Sequence, residues 1–458
     1  AERANSPTAC HGRAGRLKDT IMTADARKVP SGRLARLGAF GQIAAGVAGN
    51  VVTQGARRLA QGERPSLSEL LLTPANVTRV TDQLSRLRGA AMKLGQMISL
   101  DAGDLLPPEL TQILSRLRES AHIMPPAQLE KVLATSWGPG WRKQFRRFDA
   151  RPVAAASIGQ VHRAELPDGR VLAIKVQYPG VARSIDADVD NVATLLKLSG
   201  LLPASLNVAP LLTEAKRQLH EEADYEREAA QMARYADLLA DDPRFVVPRP
   251  MMELTGPSVL AMDFITARPI ETLEEASAEQ RNQVMEALLG LVLRELFEFG
   301  FMQTDPNFAN YRWQENTGRI VVLDFGAARA VNPTVVHEYG ALLGAGFRGD
   351  AAAARQALIN VGFVSAAQFA QHGAALDRII AVIFHQLQRI DDFDFSDRSF
   401  VEEIRADIPS IATDRDNWHI PPAEALFVQR KISGTVLLAV RMKAHLPLKA
   451  MLMPYTKG

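Results

Sequence analysis

Cysteine is almost absent from this chain: Cys10 is the single one in 458 residues. One thiol excludes an intramolecular disulfide framework and any cysteine-built metal site, and a reducing compartment fits best. Net charge is nearly absent as well. Lys and Arg number 53 against 51 Asp and Glu, a formal +2, so bulk charge gives no argument for nucleic acid as a partner. Also missing is an uninterrupted apolar run. The longest uncharged stretch, residues 37–56, has the length of a membrane span but holds five glycines with Gln42, Asn50 and Gln54, and it predicts no transmembrane helix. Leu37, Phe40, Ile43, Val47 and Val51 recur there at helical spacing, as in an amphipathic helix resting first on the protein's own core, second on a membrane.

A hydrophobic content of 47% supports a full core, in more than one domain or in one large bilobal unit. The first sixty residues carry ten Lys and Arg against Glu2, Asp19 and Asp25. That basic arm suits a solvated tail or an anionic membrane surface. Residues 1–35 lack a sustained period and predict a poorly ordered start. From Thr81 the pattern is helical, with Leu84, Leu87, Ala91, Leu94 and Ile98 on one stripe. Further helices are predicted after Pro107-Pro108 and after Pro125-Pro126, so residues 36–145 read as a helical extension.

The character then changes. SIGQVHRAEL and VLAIKVQ flank the turn Pro167-Asp168-Gly169, the signal of a β-hairpin. Helical pattern returns from Val181 to Leu239 with a break near Pro203, and RFVVPRPMMELTGPSVLAMDFI predicts two more strands. Residues 276–299 predict a helix with Val284, Leu288, Leu291 and Leu296 near one face. FMQTDPNFANYRW and RIVVLDFG follow as loop and strand, and the chain after Pro333 is helical. The predicted division is a basic segment over 1–35, the extension over 36–145, a strand-rich lobe over 146–265 and a helical lobe over 266–458.

Three pieces carry chemistry. Asp305 and Asn310 lie five residues apart in QTDPNFAN, and Asp324 opens DFG directly after the apolar strand IVVL. Two carboxylates and an amide supply hard oxygen ligands for magnesium while leaving one acid to orient a nucleophile. Lys175, alone among Val171, Leu172, Ala173, Ile174 and Val176, completes the working parts of a protein kinase, in which a strand lysine holds nucleotide phosphates. That lysine needs a carboxylate partner. HEEADYEREAAQMARYADLL offers Glu221, Glu222, Asp224, Glu226 and Glu228, and in a straight helix Asp224 and Glu228 share a face while Glu222 lies nearly opposite Asp224. Spacing alone leaves the partner open. His122, His162 and His220 show no metal spacing.

The order of these residues resembles the UbiB (AarF-like) atypical kinase family. Over residues 80–455 the chain is similar to that family in Lys93, Gly95 and Gln96 of MKLGQ (the KxGQ element), in LPPEL over 106–110 and in the alanine-rich nucleotide loop Ala154, Ala155, Ala156 and Ser157. It is similar also in the ExD element Glu222 and Asp224, in QTDPNFAN with DFG, and in the closing stretch from Phe427. The resemblance implies an α+β, bilobal protein-kinase-like fold whose helical extension covers the active site. By position it makes Glu228 the partner of Lys175 and sets Glu222 and Asp224 with Lys93 and Gln96, a gating group peculiar to the family. Met262 and Phe264 join the nucleotide-binding candidates, Asn310 and Asp324 are the expected metal ligands, and Asp305 the catalytic acid.

The implied activity is that of an ATP-binding, magnesium-dependent ATPase or atypical kinase, poor on proteins, that supports ubiquinone or other isoprenoid lipid biosynthesis at a membrane. Small-molecule or lipid phosphotransfer, and a nucleotide-dependent scaffold for a biosynthetic complex, are the alternatives. Expected partners are nucleotide, a membrane lipid or isoprenoid quinone precursor, and quinone-biosynthesis proteins. The expected location is cytoplasmic, peripheral on the inner face of a bacterial membrane.

Overall fold

Paired prolines open the first described helix, α1 (Pro126–Trp137), where a missing N–H costs nothing, and Gly138 closes it with φ +83°. This is a computed structural model that describes residues 123–198, 209–305, 307–389, 391–397, 399, 402–404 and 422–456. The basic arm, the KxGQ stretch with Lys93 and Gln96, and LPPEL lie outside those residues.

After α1 come β1 (Arg147–Phe148), β2 (Ala154–Ala155), β3 (Gly159–Glu165) and β4 (Val171–Gln177). The predicted hairpin is present, antiparallel from Glu165 opposite Val171 to Gly159 opposite Gln177. Gly169, at φ +89°, makes its turn, and Asp168 accepts from the backbone and guanidinium of Arg170. Helices α2 (Ile185–Leu198), α3 (Ala209–Glu222) and α4 (Tyr225–Leu238) follow, then β5 (Phe245–Val246) and β6 (Val259–Asp263). Strands β1, β3, β4 and β6 lie side by side in that order, with β2 on β3.

Both faces of this sheet are covered, which is why VLAIKVQ is a run rather than an alternation. Leu172, Ile174 and Val176 pack with Leu129, Leu133 and Trp141 on the side of α1. Leu260, on the opposite face, packs with Tyr225, Met232 and Tyr235 of α4. Apolar burial on both sides fixes the register, since a slip of one residue would exchange the two faces.

The second lobe begins with β7 (Arg268–Pro269) and α5 (Ala278–Phe297), capped by Ser277, whose hydroxyl accepts from the Gln280 N–H. Val284, Leu288, Leu291 and Leu296 of α5 are buried, as the periodicity predicts. Then come β8 (Phe301–Gln303), β9 (Tyr311–Gln314), β10 (Arg319–Val322) and β11 (Ala328–Ala330). Helices α6 (Pro333–Arg348), α7 (Ala351–Val361) and α8 (Ala366–Arg389) precede β12 (Phe393–Asp394), and α9 (Ala423–Arg441), β13 (His445–Leu446) and α10 (Leu448–Leu452) end the described chain. The result is the α+β, bilobal arrangement expected. Three features depart from the sequence pattern. Residues 181–239 break a second time, between α3 and α4; β5 pairs with β10 rather than with the first sheet; and the short pair β12–β13 interrupts the helical C-terminal part.

Gly159 is where the hairpin demands glycine: a Cβ there would sit 2.3 Å from the Val176 carbonyl oxygen, a main-chain atom that no rotamer change moves. Gly159→Ala is expected to cost about 1–3 kcal/mol in urea unfolding. Gly256→Ala, with open space around its Cβ, should stay within about 0.5 kcal/mol of wild type.

Candidate active site

Because strand side chains alternate, Ala173, Lys175 and Gln177 share the face of β4 that looks toward α4, and Met262 and Leu260 stand opposite Ala173 and Lys175 on that same face. Lys175 Nζ donates to both carboxylate oxygens of Glu228, at 2.8 and 2.9 Å, and lies 3.9 Å from Asp324 Oδ2. Its position 5.1 Å from the centre of the Tyr225 ring adds a cation–π contact. Lys175 is 10% exposed and Glu228 1%, so the pair is out of water, whereas Asp324 is 42% exposed. Burial works against the lysine's charge, but Asp324 and Glu228 outweigh it and hold its pKa above the ordinary value. Burial pushes Glu228 up to about 7, and the carboxylate of Asp324 adds to the rise.

Glu228 reaches the lysine because the helix is not straight. Asp224 is the N-cap of α4, its carboxylate accepting from the Arg227 N–H at 2.9 Å, and the geometry drawn for one continuous helix is thereby corrected. The ExD residues separate in consequence. Exposed Asp224 caps the helix, while Glu222, at the end of α3, accepts from Ser157 Oγ at 2.7 Å. A Cβ on Gly326 would lie 3.5 Å from Glu222 Cα, so the glycine of DFG packs beside the end of α3. Arg227 donates to the carbonyls of Gly326 and Ala328, both at 2.7 Å, and ties α4 to the chain after Asp324.

The register of β9 on β10 sets the other carboxylates. Tyr311 is opposite Val322, and the next bond runs from the Leu323 N–H to the Asn310 carbonyl at 2.8 Å, so Asn310 and Asp324 leave adjacent strand ends together. Asn310 Nδ2 donates to Asp305 Oδ2 at 3.2 Å, which leaves its amide oxygen directed away from that carboxylate. Asp324 has φ +62°, a left-handed conformation uncommon outside glycine, and its Oδ1 accepts from the Gly326 N–H at 3.2 Å. These are hard oxygen donors beside a fixed cation. Among the described residues no three His, Cys, Asp or Glu groups form a metal cage of their own. An amide and a carboxylate, with the rest of the shell left to phosphate and water, fit magnesium.

The alanine segment is not a free loop. Ala154 and Ala155 form β2, opposite Val161 and Gln160, and the Ala156 N–H donates to the Gly159 carbonyl across the turn at 2.9 Å. Phe264 leaves β6 with its N–H on the Val171 carbonyl at 3.0 Å and its ring 5.9 Å from the Arg163 guanidinium. Lys175, Glu228 and Asp324 are thus brought together, as are Asp305 with Asn310 and Ser157 with Glu222. Sequence reasoning missed Ala173, Gln177, Arg227 and Gln303. Ala173 and Gln177 were legible from their even spacing to Lys175; the roles of Arg227 and Gln303 depend on tertiary contacts.

Comparison with known proteins agrees with this geometry. Residues 116–358 match the model of the ABC1 atypical kinase-like domain. The chain is 38% identical to atypical kinase COQ8, mitochondrial, of Saccharomyces cerevisiae, across 93% of this chain and 85% of that one. It is 36% identical to atypical kinase COQ8B, mitochondrial, of Rattus norvegicus, across 92% and 80%. Among solved structures, Rv3197 of Mycobacterium tuberculosis, determined as a complex with erythromycin, superposes with a TM-score of 0.57 at 25% identity, covering 82% of this chain and 95% of that one.

Removing one member of a buried ion pair leaves the other charge stranded, so Glu228→Gln at pH 8 is expected to cost about 3–5 kcal/mol in urea unfolding. Lys175→Met with Glu228→Leu should cost less than the sum of the single changes, and strict additivity would show that the two groups do not interact. The sign with pH follows from the raised Glu228 pKa: the folded chain binds more protons than the unfolded one between the ordinary 4.5 and about 7. Wild-type stability therefore falls across that window relative to Glu228→Gln.

Proposed function

The chain belongs to the ABC1 family of atypical kinases, and from that footing we propose that it binds ATP with magnesium and acts as an ATPase or small-molecule kinase supporting ubiquinone biosynthesis at a membrane. The observation that carries this reading is the buried Lys175–Glu228 pair with Asp324 beside it. An ammonium already fixed by Glu228 meets the nucleotide phosphates without reorganising. Met262 and Ala173, on the same sheet face, and Phe264 at its end receive the base, and the hairpin from Ala154 to Ser157 closes over the phosphates.

Asn310 and Asp324 would hold magnesium. Bound there, the metal would supply neutralisation of charge on the phosphoryl oxygens. Asp305 orients the attacking water or hydroxyl: its Oδ1 takes the Asn307 N–H at 3.3 Å and its Oδ2 the Asn310 amide, so the carboxylate is held in one direction. The family resemblance in the KxGQ residues Lys93 and Gln96 and in Glu222 and Asp224 supports a gating role for this group and poor activity on proteins, as part of the same proposal. The division into extension, strand-rich lobe and helical lobe at residues 145 and 265 belongs to this same proposal. Among the described residues no helix is long and apolar enough to cross a membrane. Association through the basic residues 1–60 on the inner face of a bacterial membrane is our reading of location.

The test is magnesium-dependent phosphate release from ATP, with and without anionic vesicles. Release should rise with vesicles and drop by about a hundredfold or more in Asp324→Asn. Release that survives this substitution would indicate a contaminant and remove the ATPase reading, whereas a phosphorylated small molecule would assign the kinase. Ala155→Gly, which frees φ in a paired strand residue, should change nucleotide preference or turnover. Unchanged ATP and ADP affinities together with unchanged turnover would refute the role given to the alanine segment.

A further inference from the structure

Lys431 is a second buried cation, 1% exposed, on α9 and far in sequence from every motif above. Its Nζ donates to Gln303 Oε1 at 2.8 Å and to Tyr311 Oη at 2.6 Å, and lies 3.5 Å from Glu295 Oε2 on α5. Glu295 in turn accepts from Tyr235 Oη of α4 at 2.5 Å and from the Gln303 N–H at 3.0 Å, and it is fully buried. An ammonium has three donors and no acceptor; here two of them are hydrogen-bonded, and Glu295 Oε2, a buried oxygen without a hydrogen bond, lies close enough for an ion pair.

The partners are placed tellingly along the chain. Gln303 stands two residues before Asp305, and Tyr311 stands directly after Asn310. One ammonium therefore grips both ends of the segment that presents the catalytic acid and the amide ligand. The other end of the Gln303 amide continues the chain of contacts: Nε2 donates to the Asp324 main-chain carbonyl at 3.2 Å. Asp324 needs such support, because its left-handed φ of +62° is sparsely populated and persists only where neighbours hold it.

We propose that Lys431 is a positioning residue for the magnesium–phosphate site, setting Asp305, Asn310 and Asp324 in mutual register through Gln303 and Tyr311. The inference rests on the ATP–magnesium reading given above. Lysine suits the place better than arginine, whose planar fork does not match three oxygens arranged around a point.

The experiment measures the affinity of a fluorescent ATP analogue with and without magnesium, and the kcat and magnesium KM of phosphate release, in wild type, Lys431→Met, Lys431→Arg and Tyr311→Phe. Loss of a supporting contact behind metal ligands typically costs about 10–100-fold in metal affinity. Lys431→Met should therefore lose about tenfold of the magnesium-dependent part of nucleotide affinity and raise the magnesium KM by a similar factor. Metal-free nucleotide affinity, which depends on Lys175, should stay unchanged. Tyr311→Phe removes a single hydroxyl, keeps the packing, and should shift the magnesium terms in the same direction by about threefold, so it decides the matter if Lys431→Met does not fold. Lys431→Arg should not restore them. A merely structural role predicts instead a lower urea midpoint with magnesium terms as in wild type, and that result in Tyr311→Phe would overturn the proposal. Failure of the wild-type chain to bind nucleotide with magnesium would overturn both readings together. Normal wild-type binding with unaltered variants would overturn this one alone.

Discussion

The contact on which the site depends is the ion pair between Lys175 and Glu228. Taking two charges out of water costs several kcal/mol for each ion, and the attraction repays this only when geometry is good. Here both carboxylate oxygens lie within 2.9 Å of the ammonium. The same strand face also places the helix that supplies the acid. Two residues beyond Lys175, Gln177 donates to the Ala223 carbonyl at 2.6 Å, at the break that starts α4. Asp224 caps that start, and Arg227 fixes its first turn to the chain after Asp324. Strand, cap and metal-side loop thus converge on one helix turn, and Glu228 follows from their agreement.

Two buried lysines flank the site and are built from similar chemistry for different ends. Lys175 has one buried partner, Glu228, and one partly exposed, Asp324, which fits the proposed role of its charge in meeting an incoming anion. Lys431 is sealed, and its partners Gln303, Tyr311 and Glu295 are buried with it. Burial tends to strip a lysine of its proton, but Glu295 and Tyr311 reverse that for Lys431 and hold its pKa above the ordinary value. A cation that never meets ligand can only act on geometry. In the proposed reading, one lysine serves binding and the other holds the loop that binds.

Much of this was legible in the sequence. The hairpin, the strand lysine, the helix over residues 278–297 and the sequential order of Lys175, Asp305, Asn310 and Asp324 follow from patterns local to the chain, whereas Glu228 was singled out from its acidic neighbours only by the family resemblance. What was not legible depends on partners distant in sequence. The break at Ala223-Asp224 has no proline or glycine to mark it; Gln177, distant in sequence, donates to the Ala223 carbonyl there, and Asp224 accepts from the Arg227 N–H as the cap. Strand β5 is two residues long, too short for periodicity to assign to a sheet, and its parallel pairing with β10 is a tertiary choice. Lys431 sits in an apolar helix pattern, where a long side chain with its head in solvent is the ordinary expectation. Nothing within α9 reveals that Gln303 and Tyr311 wait 120 residues and more away.

The alanines find their explanation in the same tertiary terms. A glycine loop gains close approach to phosphate by keeping left-handed and extended conformations equally open. Ala154 and Ala155 instead lie in an extended strand paired with Val161 and Gln160, where that freedom would only add entropy to lose on folding. Glycine is kept at 159, where a side chain would strike the facing carbonyl. The turn between them is anchored by Ser157 on Glu222, and Glu222 also lies against Gly326, directly beyond the Asp-Phe of DFG. The end of α3 therefore touches the hairpin proposed to cover the phosphates and the loop proposed to hold the metal. A displacement of that helix end alters both contacts together, which couples the two halves of the site through a single glutamate.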